Sequence, residues 1–141
     1  MSVKGNPRQL VADVVADGVG YRKLAQLLDD QFAAALRLDA ERLGQLAKAI
    51  GAEADSIDAR RRHRAAQLGN APGAVRAFAE RLLADAQHAA QRESFVARCN
   101  ELNALTARCK ALSTRNGALL AAQYEAMQRL MHGERHVYVP A

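Results

Sequence analysis

Residues 95–131 read FVARCNELNALTARCKALSTRNGALLAAQYEAMQRLM, and the pair Asn116-Gly117 near their middle decides the fold. Asn-Gly is normally a strong turn signal, because both residues tolerate positive φ. A turn would reset the apolar phase of the flanking segments. Here Leu102, Leu105, Cys109 and Leu112 lead in, and Leu119, Leu120, Met127 and Leu130 lead out in the same heptad phase. The pair is therefore read as lying inside one helix. A mid-helix glycine costs roughly 1 kcal/mol against alanine, and Asn116 falls where the seam calls for an apolar group. Costs of this kind are tolerated for packing or binding, so function is sought here first.

Working outward, the breakers are few. Asn6-Pro7 forms a helix start, Asn as N-cap and Pro at the first helical position. From Pro7 the chain reads as a first helical arm to Leu68, bent near Gly18 and Gly20. Leu24, Leu28, Phe32, Ala35, Asp39, Leu43, Leu46, Ile50, Ala54 and Ile57 repeat in steps of 4, 4 and 3. That period gives a nearly straight stripe, in which Asp39 marks a point of local exposure. Gly69-Asn70-Ala71-Pro72-Gly73 is the clearest turn. A second arm follows over 74–132, with a joint open near 91–95, where Ser94 offers an N-cap. Gly133 is read as the residue that ends the helix, and 134–141, with Val137, Tyr138, Val139 and Pro140, as an extended tail. The expected fold is all-α: a single domain, 1–141, built as an antiparallel hairpin of long helical arms. Two arms bury less than a globule does, so apolar surface should stay exposed.

Composition agrees. Of 141 residues 50% are hydrophobic but only 4% aromatic, with no Trp, the alphabet of long helices. No run of 18 apolar residues calls for a transmembrane helix. The start, MSVKGNPRQL, lacks the apolar core of a signal peptide, so a cytoplasmic protein with no membrane insertion is expected. Cys99 and Cys109 lie ten residues apart on one helix. That is ~15 Å of rise, too far for a disulfide. Residues 1–59 carry seven Lys/Arg and nine Asp/Glu, whereas 60–141 carry thirteen and six, so the net +5 belongs to the second half. The densest run, Arg60-Arg61-Arg62-His63-Arg64, has no interleaved aromatic and no helix-turn-helix or zinc spacing. It reads as a solvated stretch near a helix C-terminus, and no nucleic-acid partner is expected.

No catalytic constellation emerges. The four histidines are scattered; His132 and His136 have i, i+4 spacing, but Gly133 lies between them and no third ligand is near. There is no Gly-rich phosphate loop, Cys-x-x-Cys or nucleophile elbow. Neither enzyme activity nor a metal or cofactor is expected.

The run Arg108-Cys109-Lys110-Ala111-Leu112-Ser113-Thr114-Arg115-Asn116-Gly117-Ala118-Leu119-Leu120 resembles the signature of the FlgN family of flagellar export chaperones. That family carries an Asn-x-x-Asn-Gly-x-Leu-Ile-like run in its last long helix. Asn116-Gly117 and Leu119 match; Ser113 stands where Asn is common and Leu120 where Ile is common. Arg37-Leu38-Asp39-Ala40-Glu41-Arg42-Leu43 is similar to the family's Asp-and-Leu punctuation ahead of a long charged coil, and the tail around Tyr138 to its short Tyr-containing terminus. The basic second half departs from the acidic character common among its members. The resemblance implies a cytoplasmic chaperone that holds terminal amphipathic helices of hook–filament junction proteins. It would prevent their premature assembly and deliver them to the type III export apparatus, through the export gate and the export ATPase complex. Leu112, Asn116, Gly117, Leu119, Leu120, Gln123, Met127 and Leu130 are the candidate client contacts, and Tyr138 the candidate gate contact. A client-free homodimer would use the same apolar surface. Two other classes stay open: a structural coiled coil of an export ATPase stalk, and a basic nucleic-acid-binding coiled coil.

Overall fold

The computed structural model describes residues 7–69 and 71–138. Four helices follow in order: α1 over Pro7–Leu36, α2 over Ala40–Leu68, α3 over Ala74–Leu82 and α4 over Ala89–Tyr138. A single 3-10 turn, Ala86–His88, precedes α4, and no strand occurs among the described residues. The protein is all-α, its helices packed on one another as antiparallel and parallel pairs around α1.

The first arm is not one helix but two, folded back at residues 37–39. Leu38 takes a positive φ of 56°, and the Asp39 carboxylate accepts a hydrogen bond from the Arg42 amide at 3.0 Å, capping α2. Asp39 is thus the first-turn cap of a new helix rather than a flaw in a continuous stripe. The stripe persisted across the break because α1 and α2 both turn their apolar faces inward, and no Gly or Pro announces the corner. Gly18 and Gly20 leave α1 uninterrupted. Gly20 serves close approach instead: a Cβ there would meet Ile57 at 3.3 Å and Arg60 at 2.9 Å, both on α2.

Ion pairs fix the antiparallel register of α1 and α2. Asp17, wholly buried, accepts from Arg60 Nε at 2.5 Å and lies 2.7 Å from Arg64 Nη1. Lys23 pairs with Glu53. The turn at 69–73 is where the sequence puts it, Gly69 and Gly73 having φ of 88° and 77°; Asn6 and Asn70 lie outside the described residues. The joint in the second arm falls at 83–88, before the expected 91–95, and Ser94 sits exposed inside α4. Arg92 donates to the Leu83 carbonyl at 2.5 Å, satisfying a free C-terminal acceptor of α3. Gly133 does not end α4 and shows no left-handed φ; the helix continues to Tyr138. Residues 134–138 are therefore helical rather than extended, and 139–141 lie outside the described residues.

The core has two centres. Leu10, Val14, Phe78, Ala79 and Phe95 bring α1, α3 and α4 together at one end. Ala25, Leu28, Cys109 and Leu112 join α1 to α4 further along, with Tyr21, Leu24 and Ile50 packed against them. α1 is thus the central element, with α2 and α4 packed on it.

Candidate functional site

The α1–α4 seam is a parallel pairing with a polar rung at each heptad. The Cys109 thiol donates to the Tyr21 carbonyl at 3.3 Å. The Asn116 amide donates to the Leu28 carbonyl at 2.7 Å and to Gln31 Oε1 at 2.8 Å. The Gln123 amide donates to the Ala35 carbonyl at 2.9 Å. Donors 109, 116 and 123 and acceptors 21, 28 and 35 each advance by seven, so every rung joins residues 88 apart. This is the constant register of a parallel coiled coil, in which a polar seam residue selects alignment. The side-chain oxygen of Asn116, which is 3% exposed, accepts from Arg115 Nε at 3.1 Å. Arg115 lies 4.0 Å over the Phe32 ring and reaches Asp29 at 3.2 Å.

These contacts divide the eight candidate residues. Leu112 is buried against α1, and Asn116 and Gln123 direct their amides to α1 carbonyls. In this conformation those three hold α4 to α1. Leu119 is half-buried beside them. Gly117 is exposed on the other side, and a Cβ there would meet nothing within 4 Å. Packing within the chain does not require its glycine.

Leu120, Met127 and Leu130 belong to a second group. α1 stops at Leu36, level with Gln123, and α4 runs on for fifteen residues, about 22 Å at 1.5 Å per residue. Over this overhang Tyr124 is 67% exposed, Met127 57%, Leu130 61% and Met131 53%, with Leu120 at its inner edge. At 100° per residue, Leu120, Tyr124, Met127 and Met131 fall within a sector of about 60°, with Leu130 on its flank. Tyr124 and Met131 escaped the sequence reading, although their i+4 and i+11 spacing from Leu120 was available. Leu36 and Leu38, at the α1–α2 corner on the same end, are likewise exposed. Monomeric proteins seldom leave such a contiguous apolar surface without using it. Tyr138 ends α4 on its backbone; its side chain lies outside the described residues.

The basic run is organised by carboxylates. Arg60 and Arg64 converge on Asp17, Arg61 and Arg62 on Asp58, and His63 meets Gln67. The cysteines are free; burial is the main cause that raises both thiol pKa values above the ordinary 9.0, against nearby arginines that lower them. No helix among the described residues is long and apolar enough to cross a membrane.

An uncovered apolar stripe on the last helix of a bundle is a surface against which an amphipathic helix can lie. Residues 6–133 match the family profile described as FlgN protein, which spans most of the chain. The chain belongs to the FlgN family, a family of flagellar export chaperones that bind hook-associated proteins. No curated protein and no solved structure shows a significant match.

Proposed function

We propose that this chain is a cytoplasmic chaperone that seats terminal amphipathic helices of hook–filament junction proteins on the overhang of α4. It keeps them from premature assembly and delivers them to the flagellar type III export apparatus. One observation carries this reading: where α4 has outrun α1, Leu130 continues the seam of 109, 116 and 123 without a partner, and Tyr124, Met127 and Met131, with Leu120 at the inner edge, form an exposed apolar stripe beside it. An amphipathic helix laid there would bury apolar surface on both sides, at roughly 25 cal/mol per Å². Gly117 and Leu119 border the same stretch, and client-free copies would pair through it as a homodimer. Leu112, Asn116 and Gln123 contribute by holding α4 in place.

Met127→Asp tests this. Its side chain is mostly exposed, so helicity and thermal midpoint should stay close to the parent. Affinity for a peptide of the client's terminal helix should fall about tenfold or more, as expected for a charge introduced into an apolar contact. Unchanged affinity would refute the site. For Tyr138, docking on the cytoplasmic part of the export gate is the role implied by family likeness. Tyr138→Ala should leave client binding intact and weaken gate binding by the client-loaded chaperone. Gate affinity equal to the parent's would remove that role.

A further inference from the structure

A second uncovered surface lies at the other end of α1 and goes beyond the proposed client site. Val11, Val15 and Val19 stand one turn apart on α1 and are 42%, 40% and 59% exposed. The charged residues between them in sequence, Asp13 and Asp17, point inward and are buried. From Arg8 to Arg22, about 21 Å of helix, the outer face of α1 therefore carries no charge.

This face opens on a groove against α4. A cavity of about 740 Å³, lined by Leu10, Val11, Ala79, Leu83 and Phe95, forms its wide end. A narrow recess between Val15, Gly18, Val19 and Leu105 continues it. Arg98 borders both parts, and no α2 residue lines either. A Cβ on Gly18 would meet only the tip of Arg22, at 3.5 Å, so the fold itself does not demand glycine there. Its absence of side chain keeps the recess open.

The rim is cationic. Arg8 lines the wide end and Arg22 the narrow end, where Arg22 pairs with Glu101. Arg98 forms no ion pair among the described residues. We infer that this groove is a docking site for an acidic amphipathic helix of a second protein, which packs on α1 and α4, beside α3, on the side that α2 does not line. Its apolar residues recur every three or four positions against the valines, one large side chain enters the Phe95 cavity, and flanking carboxylates meet Arg98 and its neighbours. A second copy of this chain fits poorly: two such grooves face to face would oppose Arg98 with its equivalent, and Glu101 is already engaged by Arg22. The overhang of another copy offers Glu125 and Glu134 against Arg129 and Arg135, no net negative charge. Val15 and Leu36 are 21 residues apart, ~31 Å along α1, so both sites can be filled at once.

The experiment titrates the full ¹⁵N-labelled chain with two helical peptides of about 18 residues. They share one Leu/Ala face and differ in flanking Glu or Lys. The Glu peptide should shift the amides of residues 8–22 and 90–105 and bind about tenfold more tightly than the Lys peptide. Gly18→Leu should fill the recess, abolish those shifts and not lower the thermal midpoint, since glycine is the poorer helix former. Met127→Asp should leave them unchanged even if it destroys client binding, which separates this site from the proposed chaperone site. Equal affinity for the two peptides, or shifts confined to residues 120–133, would overturn the inference. So would groove shifts that grow with protein concentration in the absence of peptide, which would assign the groove to a second copy.

Discussion

Asn116 shows how one side chain sets a register. Its amide hydrogens reach a backbone carbonyl and a side-chain oxygen of α1, and its own oxygen is met by Arg115. Asn116→Ala removes these partners and leaves buried polar groups behind, a loss of about 1–3 kcal/mol. A urea denaturation midpoint should fall accordingly, with the slope of the transition unchanged; an unaltered midpoint would mean the rung contributes nothing. The helical setting of Asn116 was legible in the sequence, because the apolar phase on both sides leaves no room for a turn. Its partner was not. A polar residue in an apolar seam faces either another part of the chain or a foreign helix, and acceptors on a backbone leave no trace in residue type. Gly117 is the complement: its cost is visible in sequence, and nothing within the fold accounts for it.

At the scale of elements, the hidden feature was the corner between α1 and α2. Leu38 takes a left-handed conformation that usually falls to Gly or Asn, so the familiar breaker signal was missing. Only Asp39 marked the spot. Asp39→Ala should remove the cap on α2 and cost about 1 kcal/mol. The measurement is native-state hydrogen exchange: the first turn of α2, residues 40–43, should lose protection before the rest of the helix. Uniform loss along α2 would show that the cap is not local. The far end of α4 misled in the opposite sense. Gly133 ends a helix only when the chain turns there, and α4 continues to Tyr138. The turn at 69–73 was readable because two glycines flank Pro72 and both adopt positive φ.

For the whole molecule, the length mismatch between α1 and α4 carries the functional argument. Both helices run in the same direction with a constant offset, so the shorter one must leave the longer one bare at its end. All-helical character and long amphipathic arms followed from composition and period. The parallel pairing and the overhang did not, because they depend on where α1 ends, and that corner was silent in the sequence. Membership of the FlgN family agrees with a surface built to take a helix from outside. The direct test is hydrogen–deuterium exchange of the full chain, with and without the terminal-helix peptide of a hook–filament junction protein. New protection should concentrate in residues 120–133, with the α1–α4 rungs at 109 and 116 unchanged. Binding that protects other segments and leaves 120–133 as in the free chain would contradict this placement of the client.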